Sequence, residues 1–164
     1  MNDRFFLDTN IFVYSLSANP SGKRDRAVEL VDHAIGSGKG VVSYQVVQEF
    51  LSVAFRRFTP KMTFAEAEQY LATTFGLLLV VHSSYSLYME ALTLSRRYSL
   101  SWYDSLIVAS ASESQCGILY SEDLQDGRSF GSLRVRNPFA GFQQAASSRI
   151  SLGTEARRKG RAGF

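Results

Sequence analysis

The sequence predicts an α/β domain, a small and mainly parallel central sheet flanked by helices. Three observations carry that expectation. Apolar runs of strand length, at residues 5–7, 40–43, 77–81, 117–120 and 133–136, alternate with longer stretches of helical periodicity. The chain has 164 residues, 45% hydrophobic and 20% charged, enough for one substantial core of ordinary composition. Two of the apolar runs end abruptly on acids, Asp8 and the cluster around Asp123, at the carboxyl ends of strands, where open α/β sheets carry their sites.

Phe5, Phe6 and Leu7 form an apolar run without alternation, the pattern of a strand buried on both faces. Thr9 and Asn10 can open a turn, and a short helix is expected over 11–16. Asn19-Pro20-Ser21-Gly22 then reads as a turn. Residues 23–35 place Ala27, Val28, Leu30, Val31, Ala34 and Ile35 at amphipathic spacing. The run Gly36-Ser37-Gly38-Lys39-Gly40 stops that helix. It is not a phosphate loop, because it follows a helix and lacks the Gly-Lys-Ser/Thr spacing.

Ser43 can cap a helix over 44–57, with Val46, Val47, Phe50, Leu51, Ala54 and Phe55 as its apolar stripe and Glu49 beside it. Thr63 and Glu66 make a capping box for the next helix, which Gly76 is expected to end. A helix over 85–98 follows the strand at 77–81. Residues 102–111 form another, with Ser105, Ala109, Ser110 and Ala111 small enough for close packing on a sheet and Asp104 in the first turn, where the helix dipole favours a carboxylate. The strand at 117–120 runs into Ser121, Glu122, Asp123 and Asp126, and Asn137-Pro138-Phe139 ends the last strand.

No apolar run approaches the roughly 20 residues of a membrane span, and the N-terminus has no signal-peptide pattern, so a cytoplasmic protein with no membrane partner is expected. The one cysteine, Cys116, excludes an internal disulfide and a cysteine zinc cluster, and reads as a buried thiol. From Arg149 onward five bases face one acid, leaving residues 1–148 at a net −1 against +3 for the whole chain. The expected division is therefore a globular domain over 1–142 and a basic, flexible tail over 143–164.

Asp8 and Asp123 at strand ends, with Glu49 and Asp104 near the starts of helices read as following strand-to-helix turns, converge on one edge of a parallel sheet. Carboxylates sharing a pocket raise one another's pKa, and a divalent metal relieves that repulsion; magnesium favours carboxylate and water oxygens and leaves room for phosphate. Asp8 has a plainer reading as a helix cap, and Glu49 as a rim carboxylate paired with Arg56 or Arg57. His33 and His82 fit no metal spacing, and no serine sits in a nucleophile elbow.

Leu-Asp8-Thr-Asn10-Ile, Gln48-Glu49-Phe, Tyr103-Asp104-Ser-Leu-Ile-Val-Ala and Tyr-Ser121-Glu-Asp123-Leu resemble the four acidic motifs of PIN-domain nucleases, in particular VapC-like toxins of bacterial type II toxin–antitoxin systems. The resemblance covers about residues 4–140. It implies a PIN-like three-layer α/β/α fold and a Mg2+- or Mn2+-dependent endoribonuclease. It further implies that Asp8 and Asp104 are the principal metal ligands, completed by Glu49 and Asp123, with Thr9, Asn10 and Ser121 holding the carboxylates in place. RNA substrate, a small antitoxin protein and a homodimer are the partners it implies. Of Glu122, Asp123 and Asp126, the family pattern aligns best with Asp123.

Phosphate contacts are expected from Arg56, Arg57, Arg96, Arg97 and the tail. Trp102 and Tyr103 are candidates for base stacking, with core packing expected of at least one. Three other readings stay open: an RNA-processing PIN nuclease that is not a toxin, a non-catalytic RNA-binding or protein-interaction module, and a haloacid-dehalogenase-type phosphatase. The last is disfavoured by Asn10 where its second Asp belongs.

Overall fold

The computed structural model describes residues 3–17 and 22–142. The expected turn at 19–22, apart from Gly22, and the basic tail lie outside the described residues. The order is β1 (Phe5–Leu7), α1 (Thr9–Ser15), α2 (Gly22–Ser37), β2 (Gly40–Ser43), α3 (Tyr44–Arg57), α4 (Phe64–Thr73), a 3-10 turn (Phe75–Leu77), β3 (Leu79–Val81), α5 (Tyr85–Tyr98), α6 (Trp102–Glu113), β4 (Ile118–Tyr120), β5 (Ser129–Phe130) and β6 (Leu133–Arg136). No helix of the described residues is long and apolar enough to cross a membrane.

The six strands form one sheet in the order β3-β2-β1-β4-β6-β5. All pairings are parallel except β5 with β6. The chain builds outward from β1 through β2 to β3, then returns to lay β4 on the other side of β1. That reversal leaves a crevice at the carboxyl ends of β1 and β4, where open α/β sheets bind ligands. The expected α/β/α architecture is present, with α1 packed along α2 and α3, α5 along α6, and the sheet between the two groups.

β1 is central, and its three residues are buried. At Gly40 an added Cβ would come within 2.4 Å of the Ala34 Cβ, so glycine is what lets α2 close against β2. Phe12, Phe50, Tyr70 and Phe75 form a ring cluster with centroid separations of 4.8 Å (Phe12–Phe75) and 4.9 Å (Phe50–Tyr70), which anchors α1, α3 and α4 together. The Thr63–Glu66 capping box is formed.

Several boundaries depart from expectation. α1 begins at Thr9, two residues early, because Asp8 supplies its cap. α2 continues through Gly36 and Ser37 and stops at Gly38, whose φ of 65° is the left-handed conformation glycine tolerates. α4 ends before Gly76, which lies in the 3-10 turn, and β3 starts only at Leu79. β5 was not foreseen, since two residues carry no readable periodicity. Asp104 does not follow a strand-to-helix turn: α6 follows α5 directly, through Ser99 in the left-handed conformation and the cap Ser101.

Candidate acidic centre

Asp8 is the first residue beyond β1, and its backbone N–H still pairs with the Tyr120 carbonyl of β4 at 3.1 Å. One carboxylate oxygen accepts from the Thr9 N–H at 2.7 Å and the other from the Ser121 hydroxyl at 2.7 Å. The cap reading and the site reading of Asp8 are thus met by one side chain. The residue is only 8% exposed. Burial pushes its carboxyl up to about 6; the bonds from Ser121 and Thr9 oppose that, and the charges of Asp123 and Glu49 add to it.

The other three acids arrive from separate elements. Glu49, on α3, accepts from the Thr9 hydroxyl at 2.9 Å and from Gln45 at 2.9 Å. Its alternative pairing with Arg56 or Arg57 is not formed; Arg56 instead donates to the Ser52 carbonyl at 3.1 Å. Asp104 accepts from the Ser101 hydroxyl at 2.7 Å, so the residue capping α6 also steers the carboxylate. Asp123 accepts from Asn10 at 3.0 Å, and its N–H donates to Ser121 Oγ at 3.2 Å. Ser121 therefore ties β4's exit to Asp8. Asp123 is pushed up by partial withdrawal from water and by the charges of Glu122, Asp104 and Glu49, so the four acids share one electrostatic neighbourhood.

The crowding in the fourth motif resolves by partner. Glu122 forms an ion pair with Lys23, and Asp126 accepts from the Asn137 N–H at 2.8 Å. Asp123 bonds Asn10, two residues beyond Asp8. Burial alone would lower Lys23, but the Glu122 bond and charge prevail and hold it above its usual range. Lys23→Met is expected to destabilise the fold by roughly 2 kcal/mol, read as a lowered urea midpoint; an unchanged midpoint would show that the pair contributes nothing.

Arg56, Arg57, Arg96 and Arg97 are all exposed. Arg57 shares a cavity of about 530 Å³ with Asn10, and Arg97 lies over the Tyr98 ring at 5.2 Å. Trp102 and Tyr103 are both exposed; neither packs in the core as expected, because the inward face of α6 starts at Ser105. Gln45 was missed in the sequence. It stands one helical turn before Glu49, bonds it, and reaches the Tyr103 carbonyl at 3.4 Å; the i, i+4 spacing was the available signal. His33 stacks on Phe5 and His82 meets Tyr44 edge-on. Burial pushes the Cys116 thiol up to about 12, which leaves it unreactive.

Among the described residues, no three His, Cys, Asp or Glu side chains stand close enough together to grip one ion as placed. The four acids are held apart on Ser, Thr, Asn and Gln donors, as uncompensated like charges are. Among the described residues none of the four is ion-paired with Lys or Arg. An oxygen-only donor set with net negative charge suits Mg2+ or Mn2+, and Asp8, Glu49, Asp104 and Asp123 are the groups that would hold one.

A PIN domain family model matches residues 5–125. No curated protein sequence matches significantly. Among solved structures, a toxin–antitoxin complex from Klebsiella pneumoniae aligns with a TM-score of 0.60 at 15% identity, covering 81% of this chain and 96% of that one. VapC20 of Mycobacterium tuberculosis, described as a sarcin-ricin loop cleaving toxin, aligns at 0.56 and 20%, covering 79% and 98%. VapBC2 from Rickettsia felis bound to a promoter DNA fragment aligns at 0.56 and 19%, covering 81% and 97%. At these identities the likeness is one of fold.

Proposed function

The chain belongs to the PIN-domain family, and on that premise we propose that it is a Mg2+- or Mn2+-dependent endoribonuclease, the toxin of a type II toxin–antitoxin pair. The observation that carries this is the convergence of Asp8, Glu49, Asp104 and Asp123 at the β1/β4 crevice. A divalent ion held there would supply positive charge against the attacking and leaving oxygens of a phosphodiester.

The chain's own residues supply the rest. Asp8 and Asp104 are the principal ligands, and Glu49 and Asp123 stand ready to accept a proton from the attacking water. Thr9 fixes Glu49, Asn10 fixes Asp123 and Ser121 fixes Asp8 through the bonds described above, which orient the carboxylates before any ligand arrives. Arg57, beside Asn10, is the best placed of the four arginines for a phosphate of the RNA; Arg56, Arg96 and Arg97 are further candidates. Residues 1–142 form the nuclease domain, and 143–164 a basic arm that adds phosphate affinity. A small antitoxin protein covers the acidic crevice, and the exposed Tyr85, Met89 and Leu92 of α5 supply an apolar face for a homodimer in the cytoplasm.

RNA cleavage by the purified protein with magnesium, manganese or EDTA tests the reading. Cutting is expected with either metal and not with EDTA. Cutting that persists in EDTA would remove the metal from the reaction. Absence of both cutting and divalent binding would favour the non-catalytic module. An antitoxin frame beside the gene separates toxin from RNA-processing nuclease.

A further inference from the structure

A cavity of about 310 Å³ lies next to the acidic centre, lined by Tyr44, Gln45, Gln48, Tyr88, Trp102 and Tyr103 among others. Its size is at the low end for small-ligand sites, roughly 300–1,000 Å³. Aromatic side chains are ordinarily withdrawn from water, yet Tyr44, Tyr88, Trp102 and Tyr103 are each at least 39% exposed. Two amide side chains stand among these rings, so the wall combines flat faces with donors and acceptors.

The cavity is joined to the acids through Gln45. Its amide nitrogen donates to Glu49 and to the Tyr103 carbonyl, which fixes the orientation of the side chain. The amide oxygen is buried and has no hydrogen-bond partner among the described residues. Trp102 and Tyr103 immediately precede Asp104 on α6, so whatever occupies the cavity is held at a fixed offset from the centre.

We propose that this cavity is a subsite for one unpaired base of single-stranded RNA, adjacent to the phosphodiester placed at the acids. The base stacks on Trp102 or Tyr103, with Gln45 and Gln48 as polar residues of the cavity lining. Exposed rings accept any base face, so the subsite is expected to take each of the four bases. The inference rests on the ribonuclease reading and names where that enzyme recognises its substrate.

Trp102 is the only tryptophan of the chain, so its emission reports on this site directly. Full-length protein is titrated with the four homopolymeric pentaribonucleotides, in EDTA and separately in calcium. Binding is followed by polarisation of a labelled RNA alongside tryptophan emission. Saturable quenching is expected, with Trp102→Ala weakening binding roughly 5- to 100-fold and Trp102→Phe, which keeps a stacking face, restoring most of it. RNA binding with unchanged emission, and with Trp102→Ala equal to wild type, would overturn the subsite and leave the ribonuclease reading standing. Absence of RNA binding in both conditions would remove both. Emission that shifts with protein concentration alone would mean that a second copy covers the cavity, and would also overturn the proposal.

Discussion

Asp104→Asn is expected to lower RNA cleavage by about a thousandfold or more while leaving the fold intact. The substitution keeps the shape of the side chain and an oxygen that can accept the Ser101 hydroxyl, so the start of α6 is preserved. What it removes is one negative charge from the site proposed to hold a divalent cation. Ser121→Ala acts differently. It leaves all four carboxylates but frees Asp8 from the hydroxyl that orients it, and a loss of roughly 10- to 100-fold is expected. The measurement is the single-turnover cleavage rate at saturating magnesium, with circular dichroism confirming the fold. Cleavage by Asp104→Asn at the wild-type rate would take Asp104 out of the centre.

Asp8→Asn is expected to abolish cleavage in the same assay and to stabilise the metal-free protein. The sign follows from proton binding. The Asp8 carboxyl is pushed from its ordinary 3.8 to about 6 in the folded chain, so between those values the folded state binds more protons than the unfolded one. Its contribution to stability therefore falls as pH rises through that window, and the full penalty of a buried charge is present at pH 7. The shift corresponds to about 3 kcal/mol, which the neutral amide escapes. Urea unfolding in EDTA should show Asp8→Asn more stable than wild type at pH 7, with the difference vanishing near pH 3. Magnesium should stabilise wild type and not the variant. A variant less stable than wild type at pH 7 would mean that the Ser121 and Thr9 bonds to the carboxylate outweigh its burial. By the same titration, magnesium affinity of the wild type should weaken as pH falls below about 6, as protons compete for Asp8.

In the proposed function, the demands of the centre oppose stability. Most buried polar groups are neutral and fully bonded, whereas Asp8 is buried, charged at neutral pH and surrounded by other acids. The chain tolerates this because the three residues of β1 are packed on both faces and fixed by β2 and β4. Ser121, Thr9, Asn10 and Ser101 then hold the four carboxylates where they are, so that relief by spreading apart is limited.

The sequence by itself determined the element types and the parallel sheet, and it named the four acids on which the proposal rests. Those features are local: apolar runs, caps such as Ser43 and Thr63, and acids at element ends are written in residues a few positions apart. Boundaries near Gly36 and Gly76 and the two-residue β5 escaped it, because helix ends and very short strands depend on what they pack against. The resemblance pointed to Asp123 among Glu122, Asp123 and Asp126, and the tertiary structure adds the partner that holds each one. Lys23, 99 positions from Glu122, and Asn137, 11 from Asp126, draw those two away, and Asn10 takes Asp123 across 113 positions. The tertiary structure also decided that Trp102 and Tyr103 face outward and that Gln45 links α3 to α6, since the inward face of a helix is fixed by the partner that covers it. Contacts between distant positions set these directions, and no local pattern in the sequence encodes them.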